Sequence, residues 1–452
     1  MSEQEQKSSK ASMTVGNPVK PLILFTIPMV VGNLFQQFYN IIDSIVVGNV
    51  VGSDALAAVG ASTSVTMLFV MIAVGTGIGC SVVISQLYGA GKLEEMKTAI
   101  STALISILGF SLILSLIGMV INRGLLGLMG TPENIFTDAV TYLQIYFYGF
   151  VFLFLYNAFS AIFNALGDSV KPLVFLIFSS LLNIGLDIYF VARLQMGVAG
   201  VAWATLIAQG ISAVLSFIFL MIKLRGIKTE RYVRYDAHML KNMITVAIPT
   251  IIQQSIVSVG MLLIQAAVNR FGSMFLAGYT AAIKIDGIAI VPMVAVGNAM
   301  STYVAQNMGA RKPERIGKGY RICLMMSAGI GILIAVIFFF CGEQFVGLFM
   351  DSDKGAEAIA IGAEYLGIVS LFYFVMGLMN VSNGVLRGAA DMKWFLTSSL
   401  ANLCTRVLLT YALADATGGM IIMWANPIGW FVGLVIAAVR YFQGGWKKKQ
   451  LV

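Results

Sequence analysis

Two carboxylates lie inside long apolar segments of the sequence, where an ionisable side chain is costly and usually faces the protein interior or a watery cavity. Asp43 lies near the end of the first apolar segment and Asp187 near the end of the fifth. Asn183 precedes Asp187 by four residues, so a helix places both on one face. Thr205, in the sixth segment, adds a hydroxyl at comparable depth. We predict that these four side chains form a cation-coupling site for Na⁺ or a shared proton. In the alternative interpretation the two acids only hydrogen-bond neighbouring helices.

Three further charged residues lie within apolar segments of the second half of the chain. Lys284 and Asp286 are two residues apart in the eighth segment, so they do not face each other on a helix. Arg406 lies in the eleventh segment and is one candidate partner for Asp286. A structural charge pair and a contact with an ion or substrate both fit this pattern.

Neutral polar residues mark a second kind of candidate position, the lining of a cleft. Gln36 and Asn40 belong to a polar stripe with spacings of three and four residues in the first segment, and Tyr39 lies beside it. Gln253 and Gln254 occupy the seventh segment. An aromatic ring can bind a flat cation through its face, although packing is the alternative use.

The composition indicates the surroundings in which these residues work. The chain is 58% hydrophobic and 11% charged, with a mean hydropathy of +0.87, whereas about a quarter of the residues of a soluble protein are charged. It has neither a GxxxxGK[ST] nor an HExxH motif, one histidine (His238), and four cysteines without CxxC spacing. We therefore predict a polytopic membrane protein that is not an enzyme and needs no cofactor and no metal other than a coupling Na⁺.

Hydropathy predicts an all-α fold with twelve membrane-spanning helices. The predicted spans are 20–47, 55–88, 95–120, 138–165, 171–190, 197–222, 241–269, 275–307, 318–342, 358–386, 393–413 and 418–443. Most of the 29 lysines and arginines fall on one side if both termini are cytoplasmic, as the positive-inside rule requires. The net charge of +8 therefore reflects topology and anionic lipid rather than nucleic-acid binding.

An internal repeat divides the chain into halves. The segment 81–95, SVVISQLYGAGKLEE, aligns with 301–315, STYVAQNMGARKPER. Because six spans is an even number, both halves have the same orientation, and a pseudo-two-fold axis along the membrane normal should relate the two six-helix lobes. The predicted regions are a cytoplasmic tail 1–19, an N-terminal lobe 20–222, a linker 223–240, a C-terminal lobe 241–443 and a basic tail 444–452.

Several of these motifs resemble the multidrug and toxic compound extrusion (MATE) transporters. They are Ile27-Pro28, Asp43-Ser-Ile-Val-Val-Gly48, Leu386-Arg387-Gly388, and Gln86-x-x-Gly89-Ala90 with its repeat at Gln306-x-x-Gly309-Ala310. The resemblance covers essentially the whole chain. It implies two lobes that alternate between inward- and outward-open states and export organic cations in exchange for H⁺ or Na⁺. The set Asp43, Asn183, Asp187 and Thr205 resembles the N-lobe cation site of the bacterial DinF-type branch. The C-lobe acids of the NorM-type branch are not matched.

We therefore expect a monomeric antiporter of amphipathic organic cations or drugs in the bacterial cytoplasmic membrane, in contact with lipids and with no nucleic-acid partner. A lipid-linked precursor flippase or polysaccharide exporter is the alternative among transporters. It should carry a strongly basic cavity, but only Lys284 and Arg406 are basic away from the ends of the spans. A passive channel or a non-transporting receptor is the alternative of another class, and it has no need of buried acids.

Overall fold

The computed structural model describes residues 13–46, 48, 51–349, 355–449 and 451. These residues form α-helices joined by short turns, and no β-strand occurs among them. Long runs without polar side chains form helices because the hydrocarbon phase offers no water to the backbone, so each N–H and C=O must be paired within its own segment.

The described residues of the first half form seven helices before the linker. They are α1 (Val19–Val46), α2 (Ser53–Gly89), α3 (Leu93–Leu128), α4 (Glu133–Tyr148), α5 (Phe150–Ala165), α6 (Val170–Ile188) and α7 (Gly197–Arg225). A π-helical turn, Tyr189–Arg193, continues α6.

The second half forms eight helices within the part that the structure describes. They are α8 (Ala237–Val268), α9 (Gly272–Ala289), α10 (Val291–Gly309), α11 (Pro313–Gly347), α12 (Ala356–Ser370), α13 (Tyr373–Gly388), α14 (Met392–Thr417) and α15 (Met420–Gln443). Short 3₁₀ turns lie at Asn269–Phe271 and Gly445–Lys448.

The number of helices that can cross a membrane agrees with the hydropathy prediction. Eight segments of the described chain are long and apolar enough, and two bent pairs, α4 with α5 (52°) and α12 with α13 (50°), raise this number to ten. One of the eight, Ala237–Gly309, has 73 residues and contains α8, α9 and α10, which is enough for two crossings. With α14, which is not among the eight, the helices account for the twelve predicted spans.

The helices group into two compact units. Val31–Ile251 form one, here called the N unit, and the described residues up to Val30 group with those from Ile252 onward in the other, the C unit. Both boundaries fall inside a helix, two or three residues after an internal proline: Pro28 in α1 and Pro249 in α8. A proline removes one helical hydrogen bond, so each helix changes unit where its backbone ladder is interrupted.

Glycines let α2 and the first half of α8 approach closely inside the N unit. A Cβ added to Gly79 would lie 2.7 Å from the backbone nitrogen of Ala247, and one added to Gly75 would lie 2.5 Å from a side-chain atom of Ile251. The two glycines are four residues apart, the spacing that brings small residues onto one helix–helix contact in membranes. This packing accounts for the glycines at positions 75 and 79 on one face of α2.

The internal repeat is also visible in the backbone. The turns after α2 and α10 have the same hydrogen bonds, Lys92 N to Leu87 O and Lys312 N to Asn307 O, and the residue before each lysine has positive φ: Gly91 (70°) and Arg311 (53°). The turns after α5 and α13 also correspond, with positive φ at Gly167 (76°) and Ala390 (59°).

A charge pair follows the second of these turns in each half. In the N unit, Lys223 Nζ lies 2.9 Å and Lys171 Nζ 3.5 Å from Asp168 Oδ2. In the C unit, Arg440 Nε lies 2.7 Å from Asp391 Oδ2. Burial by itself would raise the pKa of Asp168, but the ammonium groups of Lys223 and Lys171 outweigh it and hold that pKa below its usual range.

The linker between the halves lies along the start of α3, and we call residues 226–236 the linker strap. Lys97 Nζ donates to Ile227 O (2.7 Å), and Ser101 Oγ donates to Arg234 O (2.7 Å). Thr98 and Thr102 accept from backbone nitrogens of the same strap, at 3.1 and 3.0 Å. The predicted linker is thus an ordered part of the N unit.

Candidate functional site

The two acids predicted to form the cation site meet inside the N unit. The carboxyls of Asp43, on α1, and Asp187, on α6, come within hydrogen-bonding reach of each other. The Asp187 residue is 1% exposed. Both of its carboxyl oxygens and Oδ1 of Asp43 are buried without a hydrogen-bond donor among the described residues. Two facing carboxylates repel each other, so a proton or cation between them stabilises the arrangement.

Asn183 is held in the same place by α1. The Tyr39 hydroxyl donates a short hydrogen bond to Asn183 Oδ1 and so ties α1 to α6 one helical turn from the acids. Asn183 is buried, and its Nδ2 has no acceptor among the described residues. Spacings of four residues, 39 to 43 and 183 to 187, place the amide–phenol pair directly beside the carboxyl pair.

A third helix, α4, supplies two tyrosines that the sequence did not single out as a pair for this site. Tyr142 and Tyr146 stack with ring centroids 6.3 Å apart. Tyr142 lies within electrostatic range of Asp43 and Asp187, and Tyr146 lies within range of Tyr39. Both belong to α4. Their four-residue spacing, which places them on one face of a helix, is the sequence feature that could have identified them as a pair.

Thr205 is placed on α7 but does not bind either acid in the described structure. Its hydroxyl donates to Val201 O, 3.1 Å away and one turn back in the same helix. Such a bond uses the hydroxyl hydrogen and leaves oxygen lone pairs that can still accept a bond or bind a cation. The structure therefore brings Asp43, Asn183 and Asp187 together, while Thr205 remains a predicted ligand.

The predicted cleft residues differ in their environments. Gln36 is half-buried and Asn40 is exposed on α1, with Gln36 Nε2 donating to Asn40 Oδ1 at 3.4 Å. Gln253 and Gln254 are half-buried on α8, in the C unit. A role for these residues in lining a cleft remains a prediction.

Of the charged residues of the C unit, Asp286 and Arg406 lie within electrostatic range of each other, whereas Lys284 is exposed. Asp286 is buried and accepts a hydrogen bond from the Tyr373 hydroxyl at 2.6 Å. Arg406 has a buried Nε without an acceptor and makes no ion pair with Asp286 in the described structure. Lys284 is exposed, with its ammonium 5.9 Å from the centroid of the Phe349 ring. The two-residue spacing of Lys284 and Asp286 thus places them in different surroundings.

The donor set of the N unit suits a monovalent cation or a proton better than a transition metal. In the described part of the chain, no three His, Cys, Asp or Glu side chains lie close enough to hold a metal ion. The Asp43–Asp187 site offers carboxyl oxygens and one tyrosine-bound amide, and hard cations prefer oxygen ligands.

Comparisons with known proteins agree with this architecture. The MatE family model matches residues 28–189 and 249–412. The chain is 31% identical to "Probable multidrug resistance protein YpnP" of Bacillus subtilis (strain 168), over 97% of this chain and 98% of that protein. It is 28% identical to "Probable multidrug resistance protein YoeA" of the same organism, over 99% and 97% of the two chains.

A solved structure extends the similarity to the fold. The structure described as "MATE in complex with MaL6" superposes with a TM-score of 0.88 at 23% identity, over 95% of this chain and 97% of that chain. At this level of identity the similarity concerns the fold alone, and it confirms the predicted all-α, two-lobed architecture.

Proposed function

This chain belongs to the MatE family of membrane transporters, and from that premise we propose that it is an antiporter that exports amphipathic organic cations or drugs. An inward flow of H⁺ or Na⁺ through the Asp43–Asp187 site drives the export. The observation that carries the proposal is a pair of neighbouring carboxyls, three of whose oxygens are buried without a donor among the described residues. Such a pair is costly to maintain in a membrane unless it binds and releases a cation.

The names of the relatives support the choice of substrate class. Two relatives that align over nearly the full chain are named as probable multidrug resistance proteins. Export of many unrelated drugs needs recognition by shape and charge rather than by a fixed hydrogen-bond pattern, and aromatic and methionine side chains provide it. The sequence contains 25 methionines and is 11% aromatic.

The geometry favours H⁺ over Na⁺ as the coupling ion. Asp43 and Asp187 lie close enough to interact with each other, which suits one shared proton. The third oxygen of the site, Asn183 Oδ1, already accepts from Tyr39. A hard metal cation gathers about six oxygen ligands, so Na⁺ would have to displace this hydroxyl and recruit further oxygens such as that of Thr205.

The remaining features of the proposal follow from topology. We place the protein in the bacterial cytoplasmic membrane as a monomer, with both termini inside and no cofactor. In this proposal the two lobes have the limits 20–222 and 241–443. The linker lies between them in the sequence, and a tail lies at each end. The positive-inside distribution of lysine and arginine supports this orientation.

The deciding experiment is drug efflux from proteoliposomes under separately imposed pH and Na⁺ gradients. We expect wild-type efflux to follow the pH gradient, and Asp43→Asn and Asp187→Asn to lower it at least tenfold while keeping wild-type insertion and gel-filtration profiles. Asp138→Asn is the control, because it changes an exposed acid of the N unit and should retain efflux. Full coupled efflux in both N-unit variants would contradict the proposal. Wild-type efflux that follows only the Na⁺ gradient would show that Na⁺, not H⁺, is the coupling ion.

A further inference from the structure

A groove opens on the N unit between α3, α7 and the linker strap. Its volume is about 420 Å³, within the range of pockets that bind small organic molecules. The apolar part of its wall is formed by Ile100, Leu104, Ile105, Phe217, Met221 and Leu224. At one end the wall becomes polar, with Lys97 and Arg225 together with Tyr232 of the strap. The groove is therefore amphipathic along its length.

The position of the groove coincides with an edge of the apolar belt. Ile105 is 48% and Phe217 is 44% exposed, so both present their side chains to the lipid that surrounds a membrane-spanning helix. Beyond Arg225 the chain enters the strap, where the exposed residues include Arg231 and Arg234. The change from exposed apolar to exposed basic side chains marks the level of the lipid headgroups.

The lining of the polar end carries no acidic side chain, and the exposed Glu94 of α3 and Glu230 of the strap lie on the same elements but outside it. No aspartate or glutamate lines the groove, and Arg225 makes no ion pair within the described chain. Lys97 Nζ donates to Ile227 O (2.7 Å) and Thr229 Oγ1 (2.9 Å), which leaves one of its three N–H groups for another acceptor. An exposed guanidinium presents several N–H groups in a fixed fork that matches a phosphate.

We propose that this groove is a binding site for one anionic phospholipid. The phosphate lies between Arg225 and Lys97, and an acyl chain lies along Ile105, Phe217 and Met221. Two unneutralised cations exclude a cationic transport substrate from the same groove by repulsion. They also favour an anionic headgroup over a zwitterionic one, whose ammonium would add a third positive charge. The strap residue Tyr232 would contact the bound headgroup, so lipid occupancy would reinforce the docking of the strap.

Native mass spectrometry of the full-length protein in detergent tests the proposal. Phosphatidylglycerol and phosphatidylcholine with identical acyl chains are the probes, with inorganic phosphate as a third. We expect wild type to bind one phosphatidylglycerol at least about tenfold more tightly than phosphatidylcholine. Arg225→Ala should remove this preference, and Arg225→Lys should restore part of it.

Two further variants separate the groove from general surface charge. Arg231→Ala removes an exposed arginine of the strap that does not line the groove and should keep the preference. Ile105→Trp, a change at a lipid-facing position, should fill the groove and weaken binding of phosphatidylglycerol. Equal affinity of wild type for the two lipids, equal losses in Arg231→Ala and Arg225→Ala, or binding of inorganic phosphate as tight as that of lipid would each overturn the proposal.

Discussion

Tyr39 connects the amide of the candidate site to the first helix, because its hydroxyl donates to Asn183 Oδ1 while its neighbour one turn on is Asp43. In a water-poor interior, the loss of this donor leaves a buried carbonyl unsatisfied, and such a loss typically costs about 1–3 kcal/mol. The uncharged Tyr39 side chain can therefore help to fix the positions of the two acids, Asp43 and Asp187.

The first prediction is that Tyr39→Phe lowers pH-driven efflux about three- to tenfold without abolishing it. The acids remain, but α1 loses its hydrogen bond to α6. Initial efflux rates in proteoliposomes give the measurement, and Tyr189→Phe, at a half-exposed tyrosine of the π-helical turn, is the control. An unchanged rate and unchanged pH dependence in Tyr39→Phe would show that the bond does not position the site.

The second prediction concerns Asp168, whose pKa Lys223 and Lys171 hold below the usual value of about 3.9. A carboxyl whose pKa is lower in the folded state than in the unfolded state stabilises the fold at pH values above the unfolded-state pKa. That contribution disappears as pH falls through the folded value. Asp168→Asn should therefore lower Tm by roughly 2 °C at pH 7, and the difference from wild type should shrink below about pH 4. Thermal unfolding across pH tests this, with the exposed Asp138→Asn as control; a difference independent of pH would argue against the ion pair.

At the scale of elements, the turn after α13 has a residue that does not suit its backbone. Ala390 has a φ of 59°, where the equivalent turn after α5 has Gly167 with a φ of 76°. A residue with a Cβ in the left-handed conformation destabilises the fold by about 1–2 kcal/mol. Glycine avoids this strain, but it loses more conformational entropy on folding, so the net gain from glycine is smaller.

The third prediction is a reciprocal pair of substitutions. Ala390→Gly should raise Tm by roughly 1–2 °C, and Gly167→Ala should lower it by a similar or larger amount. Fluorescence-monitored thermal unfolding in one detergent measures both. If the two changes shift Tm in the same direction, the left-handed backbone is not the cause.

The fourth prediction tests the close contact of α2 with the first half of α8. A Cβ on Gly79 would meet backbone atoms of Ala247 that cannot rotate away, so the helices would have to separate. Gly79→Val should reduce the yield of monodisperse protein at least about threefold, because overpacking commonly costs about 1–3 kcal/mol. Gly60→Val, at a position with open space around it, is the matched control. Equal yields would mean that the helices adjust without cost.

The elements could be predicted from the sequence because hydropathy and charge depend on each segment alone. The bends within α4–α5 and α12–α13 could not, since each depends on how the break at Gly149 or at Leu371–Phe372 packs.

The same distinction between local and long-range properties applies to the site. Asp43, Asn183 and Asp187 stand out as polar residues in apolar helices, whereas the contribution of Tyr142 depends on which face of α4 meets α1 and α6. The hydrogen bond from Tyr373 to Asp286 is also a long-range property.

At the scale of the whole molecule, the sequence halves and the compact units do not coincide. The sequence repeat divides the chain in the linker, but the first half of α1 belongs to the C unit and the first half of α8 to the N unit. Each unit is therefore completed by a half-helix from the other half of the sequence.

The fifth prediction follows from this exchange. Fragments 1–230 and 231–452, separated within the linker strap, should each aggregate when expressed alone and should copurify when expressed together. Affinity capture of one tagged fragment measures the association, and size-exclusion profiles measure the state of each fragment. A monodisperse, thermally stable single fragment would show that a sequence half folds without its partner's half-helix.

The hydrogen bonds between α3 and the linker strap have a consequence for sequence variation. Lys97, Ser101, Thr98 and Thr102 bond to main-chain atoms of Ile227, Arg234, Val233 and Asp236. The path of the strap is thus fixed by groups that nearly every amino acid possesses, whereas its side chains are mostly exposed. A saturation library across the strap should therefore tolerate most replacements, with two kinds of exception. Proline should fail where the N–H group is used, as at Glu230, Val233 and Asp236. Asp236 should also resist other changes, because its Oδ1 accepts from the backbone nitrogens of His238 and Met239. The few positions on α3 that provide the partners should tolerate far fewer.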